Sequence, residues 1–413
     1  MKSFFISAGL VAVGTAGLQS ALADDSIPAP SPKIWSVSAT LRGFYDDNYA
    51  TANIKKGSFG VELSPSVSLN DSFTQTDIGV RYTYGLFWYN ERQIESQNAF
   101  DQTHEFDIWL DHAFNERWKA NVTDTFTSGQ EPSLLQGAGV PFRVNGNNFA
   151  NCFNAELDTQ WTREFSTAAH YNNSFYDFQQ TGADSLAALL NRVDQNAGLD
   201  LQWRFDPETM VFVGYSFDYV DYTGNNTIAP GINSDYRNSY AHQIYAGVQH
   251  QFTANISATA KGGAEYVDSF NQSTPDSKSW SPYANVALTY TYLPGSYVQV
   301  GFTQGDNSTY VAAPGSSGGV TQYQETSIVY GNINHHFTDK LIGSAIAQYS
   351  YSDFHGGGSL GPDVMYSAGL NLTYIINQYL STDIGYNYDR LRSEVGAAGY
   401  ERNRYYIGLT ATY

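Results

Sequence analysis

Residues 405–413 read Tyr-Tyr-Ile-Gly-Leu-Thr-Ala-Thr-Tyr and end the chain. Every second residue from the end, Tyr413, Ala411, Leu409, Ile407 and Tyr405, is apolar or aromatic. The set between them, Thr412, Thr410, Gly408, Tyr406 and Arg404, is small or polar apart from one tyrosine. A period of two marks a strand with one dry and one wet face. Terminal residues of ordinary domains fray. A strand that stays ordered to its last, aromatic residue suits a closed barrel, where the last strand pairs with the first.

The other end of the chain is expected to be removed. Lys2 precedes an apolar run over residues 4–13, and Ala21-Leu22-Ala23 offers a small-x-small cleavage site before Asp24-Asp25. These are the parts of a secretory signal peptide, residues 1–23. No cysteine follows the cleavage site, which argues against a lipoprotein. Residues 24–34 hold Pro28, Pro30 and Pro32, a stiff periplasmic lead-in. So short a lead-in leaves no room for an amino-terminal plug, so a plugged, energy-coupled transporter is not expected.

Composition narrows the class of the remaining 35–413. No later apolar run approaches the ~18 residues of a spanning helix. Yet there are 32 Tyr, 24 Phe and 37 Gly against only 15% charged residues. Tyrosine suits a membrane interface, with its ring in hydrocarbon and its hydroxyl in water. The single Cys152 forbids an intramolecular disulfide. A net charge of −19 argues against binding nucleic acid phosphates.

A short turn recurs along the chain. An apolar pair clamps polar residues at Leu69…Phe73, Phe114…Trp118, Trp161…Phe165, Phe205…Met210, Phe252…Ile256, Leu293…Tyr297, Phe337…Leu341 and Ile376…Leu380. The spacing, roughly 40–48 residues, indicates a repeated supersecondary unit. A propeller blade has a similar period, but these strands are too long for blades. Between the turns lie long polar loops near 46–56, 90–101, 128–148, 179–191, 221–236, 268–278, 306–321, 353–362 and 393–398. Nine loops and eight turns make nine hairpins, hence an all-β, antiparallel up-and-down transmembrane β-barrel of eighteen strands. Sixteen is the alternative, if segments near Asn151 and Leu189 are loops. Both termini fall on the short-turn, periplasmic side, with the long loops outside the cell.

Alternation sorts the side chains. Ile256, Ala258, Ala260, Gly262, Ala264 and Tyr266 share a lipid face, as do Leu370, Leu372, Tyr374 and Ile376. The opposite parity collects the charges. Acidic candidates for the channel lining are Glu62, Asp77, Glu105, Asp107, Asp111, Glu156, Asp158, Asp194, Asp200, Asp218, Glu265, Asp383 and Asp389. Basic ones are Arg42, Arg81, Lys119, Arg192, Arg204, Lys261, Arg402 and Arg404. Eighteen strands enclose more space than side chains fill, so an aqueous passage is expected. Thirteen acids against eight bases predict a mild preference for cations. Arg42, Arg402 and Arg404 are expected to form a positive ladder opposite Glu105, Asp107 and Asp111. Three residues break the pattern: Asp124, His112 and His250 land on the lipid face, implying interfacial depth or a local bulge. The third long loop carries Glu131 and Arg143 as its only charges and is the candidate constriction.

No catalytic constellation stands out, and no cofactor or metal site is expected. His170 and Ser174 share a strand face but lack a denser hydrolase motif. His335 and His336 are adjacent on a strand, so they point to opposite faces and cannot chelate one ion together. Gly356-Gly357-Gly358 has no following helix or lysine, so it is no phosphate cradle.

Signal, proline-rich lead-in, Phe-Thr/Asn-x-x-apolar turns and the terminal Ile-Gly-Leu-Thr-Ala-Thr-Tyr strand resemble the bacterial outer-membrane beta-barrel porin families. The likeness covers almost the whole mature chain. It implies a Gram-negative outer-membrane channel for passive diffusion of ions and small polar solutes, and no enzyme. It also implies that Tyr405, Ile407, Leu409 and Tyr413 form a signal read by the barrel-assembly machinery. Outer-membrane lipids are the other expected partner, and a homo-trimer stays open. The alternative function is a structural, adhesive or exopolysaccharide-export barrel.

Overall fold

The computed structural model describes residues 34–413 except 96, 130–147, 181, 183–184, 225, 272–276, 316–318 and 396–397. The expected signal peptide and most of the proline lead-in lie outside the described residues, as do Glu131 and Arg143.

One eighteen-stranded antiparallel sheet closes on itself. Its strands are β1 (Trp35–Asp46), β2 (Ser58–Ser72), β3 (Thr76–Tyr89), β4 (Phe100–Ala113), β5 (Trp118–Gly129) and β6 (Asn148–Gln160). The second third is β7 (Phe165–Asp177), β8 (Arg192–Arg204), β9 (Thr209–Asp221), β10 (Ser239–Thr253), β11 (Ile256–Asp268) and β12 (Lys278–Leu293). The last is β13 (Ser296–Ser308), β14 (Tyr323–Thr338), β15 (Leu341–His355), β16 (Asp363–Asn377), β17 (Leu380–Arg392) and β18 (Tyr400–Thr412). Every strand pairs with its sequence neighbours, and β18 pairs with β1 from Ser38↔Thr412 to Asp46↔Arg404. The count is eighteen rather than sixteen. Asn151 lies within β6, and Leu189 belongs to a short helix, Leu186–Leu190, in the loop before β8.

The short turns have a local cause. At Asn115, Thr162, Thr253 and Thr338 the side-chain oxygen accepts hydrogen bonds from the amides two and three residues on. Asn and Thr compete for the backbone in this way and so bend it back sharply. Between β12 and β13 the bend is Pro294-Gly295, with Gly295 at φ +73°, a conformation glycine adopts without steric cost. The first turn departs from the sequence reading. Asn70, Asp71 and Ser72 are turn-forming residues, but they continue β2 and pair with Gly79, Ile78 and Asp77. The chain reverses at 73–75, closed by the Phe73 amide donating to the Thr76 carbonyl.

Alternation holds around the ring. On β18 and β1 the outer set is solvent-exposed and apolar, with Ile407 61% and Leu41 54% exposed. Their inner neighbours Arg402 and Asp46 are 4% and 0% exposed. Inner glycines let aromatic rings lie flat on the wall: a Cβ at Gly385 would meet the Tyr406 ring at 2.1 Å, and one at Gly214 the Tyr245 ring at 2.2 Å.

Candidate functional site

The register places the thirteen acids and eight bases of the expected lining on the inner face, and Asp124 on the outer one. Arg42 pairs with Glu62, Arg81 with Asp107, Asp77 with Asp111, Lys119 with Asp158, and Thr83 with Glu105. Glu156 faces His170, Asp194 faces Ser174, Asp200 faces Ala168, Asp218 faces Asn196, and Glu265 faces Gln243. Asp383 and Asp389 pair with Gly408 and Arg402. Arg192, Arg204, Lys261 and Arg404 share the parity of these neighbours.

Five of the eight bases are neutralised locally by ion pairs. Arg42 bridges Asp383 at 3.0 Å and Glu62 at 3.4 Å. Arg402 holds Asp46 at 2.6 Å, Arg404 reaches Glu62 at 3.7 Å, and Arg81 holds Asp107 at 3.0 Å. Arg192 holds Asp194 at 3.0 Å. The expected ladder is therefore a row of ion pairs rather than a bare positive stripe. Nor is it opposite β4, which lies only three strands from β1; nine strands from β18 brings one to β9.

The arc that does lie opposite, β8 to β11, is acidic and aromatic. The Tyr245 hydroxyl donates to Asp200 at 2.6 Å, and the Asn196 amide donates to Asp218 at 2.6 Å. Lys261 puts its Nζ 3.6 Å from the Tyr245 ring centre and 5.0 Å from that of Tyr283. It contacts aromatic faces, a favourable seat for a cation.

The long-loop mouth is capped from within. Loop residues Leu190, Ile228 and Val320 are almost wholly buried, in a cluster with the inward-facing Tyr176, Met365 and Tyr400. Tyr176 is on β7 and Met365 on β16, nine strands apart, so the cluster bridges opposite walls. Arg237, 2% exposed, ties it together. Its Nη1 donates to the carbonyls of Leu189 at 3.3 Å and Thr309 at 3.1 Å, and its Nη2 donates to that of Val311. Burial is the largest influence on its pKa and lowers it from the ordinary arginine value. The loop after β1 also folds inward, with Tyr49 against Phe44, Phe87 and Tyr89. Burial would raise the pKa of Asp47 there, but hydrogen bonds from Lys55 and Asn403 outweigh it and hold the carboxylate below its usual range.

Sequence reasoning did not single out Arg237, nor the inner acids Asp46, Asp101 and Asp363 at strand ends, all 2% exposed or less. Their one sequence signal was charge at a strand–loop junction, which occurs throughout the chain.

The outer face explains most of the histidines. Those at 104, 112, 242 and 250 each share a hydrogen bond at Nδ1 with a hydroxyl of the preceding strand, from Tyr82, Thr76, Tyr215 and Thr209, and His335 shares one with Tyr292, two strands back. His104 and His112 are eight residues apart on β4, as are His242 and His250 on β10. Eight residues of strand reach ~27 Å along the strand, or ~20 Å across the membrane at the ~40° tilt of such barrels, whose apolar band is ~25 Å tall. His112 and His250 sit near the short-turn ends of β4 and β10. His335 and His336 do point to opposite faces; the latter packs near Gly295 on the inside. Among the described residues Ser174 donates to Cys152 Sγ at 3.7 Å and makes no hydrogen bond to a histidine. Among the described residues no three His, Cys, Asp or Glu groups converge to hold a metal.

No curated protein sequence matches the chain. Among solved structures, the outer membrane protein OpdK of Pseudomonas aeruginosa is 10% identical, with a TM-score of 0.44 over 92% of this chain and 99% of its own. OccK2 (OpdF) of the same organism, solved with glucuronate, is 9% identical, with a TM-score of 0.46 over 92% and 98%. OccAB4 of Acinetobacter baumannii is 12% identical, with a TM-score of 0.41 over 93% and 100%. A family model covers residues 34–413, from just before β1 to the terminal tyrosine, which is the whole closed barrel described above. The chain belongs to the family described as Putative beta-barrel porin 2.

Proposed function

We propose that this barrel is a passive diffusion channel for ions and small polar solutes in a Gram-negative outer membrane. The observation that carries it is the inward placement of the charges on an eighteen-stranded closed wall. A wall that wide is not filled by its own side chains, and its charges need water. Export by the amino-terminal signal, termini in the periplasm and insertion by the barrel-assembly machinery complete the reading. Transport here needs no catalysis or cofactor. The acidic arc of β8 to β11 gives the channel its mild cation preference.

A second reading, a closed structural, adhesive or export-associated barrel, draws support from the loop cluster across the mouth. Single-channel recording in planar bilayers separates the two. The channel reading expects steady conductance without any ligand. Silence of the purified, folded protein at all voltages would overturn it in favour of the closed barrel.

A further inference from the structure

The ladder between β12 and β13 stops short of the long-loop end. It runs from Leu293↔Ser296 to Ala284↔Gln304, yet β12 continues to Lys278 and β13 to Ser308. On their far sides both strands stay paired to the end, Lys278 with Asp268 of β11 and Ser308 with Tyr323 of β14. Pro282 lies in the parted stretch and has no amide hydrogen to give a ladder. Side chains span the seam instead. The Ser281 hydroxyl donates to Asp306 Oδ2 at 2.6 Å, and the Tyr323 hydroxyl donates to Ser279 Oγ at 2.8 Å.

Carboxylates gather beside this seam, and they are short of donors. Glu265 on β11 is paired with Ser281 and is only 5% exposed. Its Oε2 is buried with no hydrogen-bond partner among the described residues, as are Oδ1 of Asp306 and Oδ2 of Asp218. Asp306 and Asp218 are also the acids whose charge acts on Glu265. Lys261, on the same face of β11, gives its ammonium to the rings of Tyr245 and Tyr283. A buried carboxylate oxygen without a donor is costly, so the three acids favour a cationic donor from outside the chain.

Their spacing narrows what that donor is. Asp218, Glu265 and Asp306 stand on the alternate strands β9, β11 and β13, so successive backbones lie about 10 Å apart across the wall. Among the described residues no three such groups converge to hold a metal ion. A chain of ammonium groups can instead answer the acids in turn, each with three N–H donors. Its methylenes suit the tyrosine faces that already seat the Lys261 ammonium. We propose that Glu265, Asp218 and Asp306 form a binding site for a linear polyamine entering from the lumen. The proposal rests on the channel reading above and gives that channel a substrate class.

The test adds spermidine to the full-length barrel, processed as in the cell, in planar bilayers at constant ionic strength. Wild type is expected to show a saturable, voltage-dependent block. n-Butylamine, with one ammonium, is expected to block several-fold more weakly at equal concentration. Glu265→Gln with Asp306→Asn is expected to weaken spermidine about tenfold, the worth of one charge-assisted hydrogen bond. Glu105→Gln with Asp107→Asn removes the same charge elsewhere on the wall and should leave spermidine affinity near that of wild type. Equal weakening by the two pairs would show a diffuse field and overturn the site, as would equal block by the two amines. A wild-type channel that conducts and ignores spermidine overturns the site while the channel reading stands. Silence before any amine is added overturns the channel reading, and with it the substrate class. Folding is checked by heat-modifiable migration. Should the first pair fail to insert, Asp218→Asn takes its place with the same expectation.

Discussion

Tyr413 shows how much one residue can be asked to do. Its amide donates to the Val37 carbonyl at 2.8 Å, and its carbonyl accepts from the Val37 amide at 3.1 Å. These bonds carry the β18–β1 closure to the end of the chain. Its ring, 63% exposed, lies 5.6 Å from Trp35 at the short-turn rim. Tyr349 is also outward, 40% exposed, and packs on Tyr366 at 5.4 Å. An aspartate at either place leaves the ladder intact and costs less than the ~2–4 kcal/mol of a midplane Arg or Lys. The finished barrels should therefore be comparably stable. If the last strand is the assembly signal, outer-membrane insertion measured by heat-modifiable migration falls several-fold for Tyr413→Asp and little for Tyr349→Asp. Equal insertion of the two would sink the signal reading.

At the scale of elements, the strands explain themselves and the loops do not. Period-two alternation over 12 to 16 residues is a dense signal, so strand number, parity and the inward set were legible in the sequence. The Thr and Asn turns were legible for a chemical reason, since one oxygen satisfies two amides within three residues. Asn70 to Ser72 misled because turn-forming residues are also tolerated at the wet end of a strand. The mouth cap left no local trace. Leu189, Ile228 and Val320 are apolar residues without periodicity, and Arg237 meets carbonyls 48 to 74 positions away. Only the closed ring brings those segments together. Arg237→Met should release the cap. Hydrogen bonds from a charged donor are worth ~1.5–3 kcal/mol each, and three carbonyls lose theirs. Since Arg237 belongs to no barrel strand, the barrel should stay heat-modifiable. Single-channel conductance should rise and become noisier. Conductance and noise equal to wild type would show that the cap does not restrict the path.

For the whole molecule the question is which charges the permeating ion feels. Counting parity gives thirteen inner acids and eight inner bases, an excess of five. The structure shows that this excess is unevenly spread. Around β18, β1 and β2 the bases are locked to Asp46, Glu62 and Asp383, and on β3 and β4 Arg81 is locked to Asp107. Such pairs look nearly neutral from a few ångströms away. On β8 to β11 the carboxylates of Asp200 and Asp218 are held instead by Tyr245 and Asn196, which bring no positive charge, and Lys261 is the nearby base. The field should therefore run across the barrel from the acidic arc, and selectivity should come from that arc. Replacing Asp200 and Asp218 by Asn and Glu265 by Gln should move the reversal potential towards anions under a salt gradient. Replacing Glu105 and Asp107 by their amides removes the two carboxylates that Arg81 bridges and should also move it, but by unbalancing one arginine rather than by loss of the main field. The Debye length is ~8 Å at physiological ionic strength and ~3 Å at 1 M, so the first shift should be largest in dilute salt and fade in molar salt. A reversal potential unmoved by the β8–β11 substitutions, in a channel that still conducts, would mean that ions pass elsewhere or that a loop outside the described residues sets the selectivity.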